Sequence, residues 1–278
     1  MPYAPTITPY LDKNPCPRVE VLFRTFAPGT ATVTVWRTAG RDRRELRGAV
    51  RAPVAGALAR IDFEVPFGID VTYRAEQFDS RGVSLGWTDT ASVQLDIAET
   101  WLHNPLDPRG AVLVEFRPDA ANSISRPAMG SLVRVQGRTA GVWMGSGRSG
   151  VTEVRLDVMT RTLEDADKIA AMLGDQNTPL TPVLCFRIGT RDRIRLPKPF
   201  YAAVPDIQEQ YIDPEVAGAH IAHLMTGSEA DPPVPGLFVP LLTRADLDRA
   251  YPTRAAMDAD NATRIGLDRR YEFAGGGR

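Results

Sequence analysis

Two imidazoles three residues apart, His220 and His223, are the first residues whose type and spacing could do chemistry. If His220-Ile221-Ala222-His223 is helical, the two rings stand on adjacent turns, with Glu215 five residues before the first. A metal ion needs a third ligand, usually a carboxylate at a fixed spacing, and the HExxH pattern is absent. A short helix with partly exposed histidines is the simpler reading, and no metal is expected. The run Gly145-Ser146-Gly147-Arg148-Ser149-Gly150 could suggest a phosphate loop. No GKS or GKT follows it, and the next element reads as a strand where a phosphate cradle needs a helix N-terminus. It reads as a hairpin tip. Gly141-Val142-Trp143-Met144-Gly145 has no serine at its centre, and neither Ser146 nor Ser149 has a histidine nearby in sequence. No triad is supported. No catalytic, cofactor-binding or metal-ligating residue is expected, and no cofactor.

The remaining candidates are contact residues. Arg41, Arg43, Arg44, Arg47 and Arg51 crowd one apparent hairpin. A nucleic-acid patch would interleave aromatics for stacking, and none lies between 37 and 60. A solvated, salt-bridged loop is expected there, and again at Arg191-Asp192-Arg193-Ile194-Arg195. Of the four tryptophans, Trp36 falls on the face opposite Val33 and Val35, which makes it the best candidate for an exposed anchor. A bulge turning it inward is the alternative. Trp101 and Leu102 are expected to pack between two domains, and Leu106 lies in the same junction.

Those residues sit in a chain of 278 residues, long enough for about two domains and a packed core. The net charge of −1 argues against a phosphate-backbone partner. The two cysteines, Cys16 and Cys185, form no disulfide framework and read as small buried hydrophobes. No run of 18 apolar residues occurs, so no membrane-spanning helix is expected, and the N-terminus does not read as a secretory signal. Only three of the 33 cations are lysine, which suggests a GC-rich genome.

Residues 1–18 carry five prolines and read as an extended arm. From 19 to 98 the pattern is period two: Val19/Val21/Phe23, Val33/Val35, Ile61/Phe63/Val65, Ile69/Val71/Tyr73 and Val93/Leu95/Ile97. Weaker strands are expected at 45–50 and 83–87. Gly and Pro turns separate the strands, and the spacing fits a β-sandwich. Residues 98–110 hold two prolines and a glycine and are expected to be irregular. Alternation resumes at Val112/Val114/Phe116 and runs through 212, broken by a helix over 163–173. Thr162 is its expected cap and Gly174 its left-handed stop. After the helix come a buried run at 183–186 and strands at about 193–196 and 199–212. Residues 213–278 read as a C-terminal arm. There a period-ten repeat places Thr243, Thr253 and Thr263 each four residues before Leu247, Met257 and Leu267, which suits short docked helical turns. The fold class is therefore mainly β, with two tandem β-domains, one flanking helix and an irregular C-terminal arm.

Tyr73-Arg74-Ala75 with Asp79-Ser80-Arg81-Gly82-Val83-Ser84 resembles the late-strand signature of a fibronectin type III domain, over about residues 14–98. Three further stretches resemble minor tail proteins of the long-tailed bacteriophages that infect actinobacteria. They are Trp101-Leu102-His103-Asn104-Pro105-Leu106-Asp107-Pro108, then Trp143–Gly150 leading into Val154–Thr160, then Thr160-Arg161-Thr162-Leu163-Glu164-Asp165-Ala166. Together they span about residues 99–205. The resemblance implies a tail-tube or distal-tail-like domain over 99–212 and a structural, non-enzymatic role in the virion tail. It further implies a ring, most often of six subunits, that joins the tail tube to the baseplate. The partners it implies are the chain itself and other tail-tip and tail-tube proteins, with DNA only as passing cargo. The domain order departs from the usual one, because the sandwich here precedes the ring domain. The Pro-rich ends, 1–18 and 213–278, are expected to lie across neighbouring subunits, so that truncating them abolishes assembly while each β-domain still folds. The alternative reading is a carbohydrate-binding adhesin or receptor-binding module for host cell-wall glycans. A hydrolase using His220 and His223 is a remote third.

Overall fold

A computed structural model describes residues 3–174, 180–212, 218–236 and 244–261, together with residues 263, 266, 267, 270 and 273. The fold is mainly β. The first unit holds β1 (Thr6–Tyr10), β2 (Arg18–Phe23), β3 (Thr32–Ala39), β4 (Asp42–Glu45), β5 (Ala52–Pro53), β6 (Leu58–Asp62), β7 (Asp70–Phe78), β8 (Ser84–Trp87) and β9 (Ala91–Gln94). These make two antiparallel sheets, β1-β2-β6 and β4-β3-β7-β8, with β5 on β3 and β9 on β7. The alternation read from the sequence explains the core between them. Val19, Val21 and Phe23 from one sheet meet Val33, Val35, Val71, Tyr73 and Ala75 from the other, all fully buried. The strand expected at 45–50 is instead a turn after β4, closed by the Ala49 amide donating to the Leu46 carbonyl.

The second unit holds β10 (Thr100–Asn104), β11 (Asp107–Phe116), β12 (Ala128–Val133), β13 (Val142–Arg148), β14 (Val154–Arg155), β15 (Val158–Thr160), β16 (Val183–Arg187), β17 (Phe200–Ala203), β18 (Ile207–Tyr211) and β19 (Ile221–Glu229). The order β19-β15-β11-β10-β16-β17 closes on itself, because β17 pairs back with β19 at Ala202↔Glu229 and Ala203↔Ser228. Closure pairs those six strands on both sides, and β14 and β18 add to β19 outside the ring. Leu102, Val112, Leu156, Leu184, Phe186 and Phe200 fill the inside. Helix α1 (Leu163–Ala171) packs on β11 and β15, with Ile169 and Met172 entering that core. Thr162 caps it by accepting from the Asp165 amide, and Gly174 follows with φ of +75°, both as the sequence indicates. Two short helices, α2 (Arg244–Ala250) and α3 (Arg254–Asp260), carry the period-ten repeat. Thr253 caps α3 and Thr263 accepts from Gly266, whereas Thr243 lies outside the described residues.

Several expectations need correction. The junction 98–110 is a regular hairpin, β10 and β11, turning at Pro105-Leu106. The prolines are tolerated because Pro105 sits in the turn and Pro108 falls where the register shifts between Leu102 and Asn104, where no ladder donor is required. Neither terminal stretch is simply an arm. Residues 6–10 pair with β2, and β19 is a wall strand of the barrel that neighbours β14, β15, β17 and β18. Residues 193–196 are not a strand, and the stretch 199–212 is two strands broken at Val204-Pro205-Asp206.

Candidate functional site

Period-two geometry on β10 decides where the expected junction residues go. Trp101 points outward from the barrel into the core of the first unit and is 4% exposed. Its neighbour Leu102 points the other way into the barrel core and is fully buried. Only Trp101 therefore packs between the units. Leu106 is half-buried at the hairpin turn, where its amide donates to Asn104 Oδ1.

The outward face of the barrel carries more than Trp101. In register with it stands Arg187, fully buried, whose Nε donates to the Val65 carbonyl at 2.8 Å and whose guanidinium lies 4.2 Å from the Phe67 ring. Further along, the Tyr201 hydroxyl donates to Glu64 at 2.5 Å. Arg37 holds Asp62 through Nη1 at 2.9 and 3.0 Å, and the Tyr73 hydroxyl donates to the same carboxylate at 2.8 Å. Arg47 pairs with Glu64 at 2.5 Å. Burial pushes the Glu64 carboxyl up, but Arg47 and Arg37 outweigh it and hold it below its ordinary value. Burial, reinforced by Asp62 and Glu64, keeps Tyr73 and Tyr201 well above theirs. The seam is thus a buried network in which Asp62 and Glu64 are each paired with an arginine, Arg187 is held by a carbonyl and a ring face, and each tyrosine stays protonated as a donor. His103, on the same face, finds no hydrogen-bond partner for either nitrogen. Burial, and then Arg187, push it down to about 3, so it is a neutral ring.

Trp36 is half-buried rather than an open anchor. Its ring lies 6.4 Å from Trp87, and the Arg43 guanidinium sits over both rings at 4.2 and 5.0 Å. Arg74 covers Trp87 at 4.2 Å. The aromatics missing between 37 and 60 are thus supplied by Trp36 just before that window and by Trp87 further along the chain. Of the other cluster arginines, Arg44 bonds Asp42, Arg47 pairs with Glu64 and Arg51 lies over Phe78.

His220 and His223 do not share a helix. His223 is buried on β19, with Nε2 3.1 Å from Thr160 Oγ1, while His220 is exposed just before that strand. Burial lowers His223 to about 4. Glu215 lies outside the described residues, and among the described residues no group of three ligating side chains converges. Residues 145–148 are strand, not a tip, and Ser149 Oγ donates to the Pro127 carbonyl. A groove of about 380 Å³ beside Trp101 holds Lys13, Arg109, Arg161 and Lys168. The last three are tied to Asp107, Glu115 and Glu164 respectively.

The feature that sequence reasoning did not single out is the ribbon β12–β13. Among the described residues it pairs only with itself, and every residue of both strands is exposed. Met129, Leu132, Trp143 and Met144 are each more than half exposed, and Val133 and Val142 little less. Leu132 stands opposite Trp143 on one face, and Val133 opposite Val142 on the other. Gly130 and Gly145 let the strands approach closely, since a Cβ on Gly145 would lie 2.2 Å from the Met129 carbonyl oxygen. A signal was present in the sequence: residues 126–150 hold four arginines and no acid among these apolar side chains.

No family model, curated protein or solved structure matches this chain. No helix among the described residues is long and apolar enough to cross a membrane.

Proposed function

We propose that the chain is a structural subunit of a phage tail tip, a minor tail or distal tail protein that assembles into a ring joining tail tube to baseplate around the DNA conduit. In this reading the first unit is a fibronectin III-like sandwich and the barrel is the tube-like ring domain. The partners are further copies of the chain and other tail-tube and tail-tip proteins, and DNA is only passing cargo. The observation that carries the reading is the ribbon β12–β13. A two-stranded ribbon with apolar side chains on both faces is marginal in water and gains stability when a partner covers it. A rigid body with such an element is suited to assembly.

The glycan-binding alternative is weaker on one count. Guanidinium groups occupy positions over Trp36 and Trp87 where a sugar would stack. Native mass spectrometry with negative-stain imaging over a concentration series tests the proposal. The expected result is a closed ring near six times the 30.4 kDa subunit. A monomer at every concentration that binds host wall glycans saturably would overturn it in favour of the adhesin.

A further inference from the structure

The geometry points to strand β18 of a second copy as the surface that receives the β12–β13 ribbon, in a head-to-tail contact. This rests on the ring reading and adds to it the two surfaces that meet.

The ribbon has two requirements: cover for apolar faces and partners for its open edges. Among the described residues β12 and β13 bond only each other, so each leaves a row of backbone donors and acceptors on its outer side. A lipid bilayer would cover the side chains but strand those backbone groups, because open sheet edges are not tolerated in hydrocarbon. Another strand supplies both at once by adding to an edge.

Charge identifies the acceptor. The ribbon and its flanks, residues 126–150, carry Arg126, Arg134, Arg138 and Arg148 and no acid. Residues 199–243 carry six acids and neither lysine nor arginine. Within that acidic stretch, β18 pairs with β19 on one side and, among the described residues, with nothing on the other. Its residues 208–211 are exposed, and so is Ile212 beyond it; Tyr211 is 62% exposed. The β18 edge thus offers acids at Asp206 and Glu209 and apolar cover at Tyr211 and Ile212.

Two other edges fit less well. Strand β1 contains Pro9, which has no donor, and proline blunts an edge. Strand β8 lies beside Arg43 and Arg74, which repel a cationic ribbon. Because ribbon and acceptor are different surfaces of one chain, the contact is heterologous. A contact of that kind closes into a ring when the rotation per subunit allows it.

Both natural cysteines are buried, so introduced thiols react alone. Two full-length variants, Ser131→Cys on the ribbon and Gln210→Cys on β18, are prepared separately, mixed and treated with a short bismaleimide. Covalent dimer is expected in the mixture and not in either variant alone. Equal cross-linking within a single variant overturns the inference, because like surfaces then meet. A closed ring by native mass with no cross-link in the mixture also overturns it, while leaving the ring reading intact. A monomer without cross-links overturns it, and overturns the ring reading as well when that monomer binds host wall glycans saturably. Flotation with phosphatidylglycerol–phosphatidylcholine vesicles, lost in Trp143→Ala, overturns it in favour of a membrane surface.

Discussion

His103 is a neutral imidazole enclosed beside Arg187, with a pKa of about 3 against an ordinary 6.5. Between those two values the unfolded chain binds a proton that the folded chain refuses. The stability linked to this ring is therefore complete above pH 6.5 and declines as pH falls toward 3. One proton corresponds to a slope of about 1.4 kcal/mol per pH unit. His223, lowered to about 4, adds to the same decline. Urea unfolding at pH 7, 5.5 and 4.5 is expected to show falling stability, and His103→Leu to flatten the slope by about one proton. An unchanged slope would mean that this ring is not the acid-sensitive group. Nothing local in the sequence marks His103 as buried. It lies between Leu102 and Asn104 in a stretch whose prolines suggest a loop, and its environment comes from strands some eighty residues away on β16.

At the scale of the elements, legibility followed periodicity. Strands β3 and β7 show clear alternation because one face is core and the other is largely polar, and α1 shows its 3.6 period with a capping threonine. Strand β19 was hidden. Its sequence, Ile-Ala-His-Leu-Met-Thr-Gly-Ser-Glu, is packed by different neighbours along its length, so polar and small residues occupy wall positions. Gly227 is one such position, where a Cβ would come within 3.0–3.1 Å of Ala202, Ala203 and Leu156. The ribbon was legible only in part, since the glycines at 145 and 147 read as a tip, and alternation cannot tell a covered strand from an uncovered one. Two deletions separate these roles. Truncation before residue 213 removes β19 and is expected to abolish cooperative unfolding of the barrel. Replacing residues 127–149 with a short turn is expected to leave the melting temperature within a few degrees and to abolish assembly. An assembled, ribbonless protein would show that the ribbon is not the contact.

At the scale of the whole molecule, the two units share a wall. The barrel strands β10, β16 and β17 turn one face to the barrel interior and the other to the first unit, so Trp101 belongs to one core and Leu102 to the next. The charged network at that wall contains full positive and negative groups out of water, which is tolerable only while both partners remain. Arg37→Ala leaves Asp62 with one fewer partner and is expected to cost about 3–5 kcal/mol, read from the shift in urea midpoint. Heating the full chain is expected to give one calorimetric transition for both units. Two resolved transitions would show that the seam does not couple them. This coupling was not visible in the sequence, because Arg37, Asp62, Glu64 and Tyr201 are spread over 165 positions and each looks like an ordinary surface residue of a half-polar strand.

The shared wall also determines how load travels. The covalent link between the units is short, and Arg187, gripping the Val65 carbonyl, braces it from the facing strand in register with Trp101, while Tyr201 grips Glu64 further along the wall on β17. A torque on the first unit is therefore resisted at several separated points, and the pair turns as a single lever with no pivot at residues 98–100. Whatever is fixed to one end of this chain has its orientation set at the other.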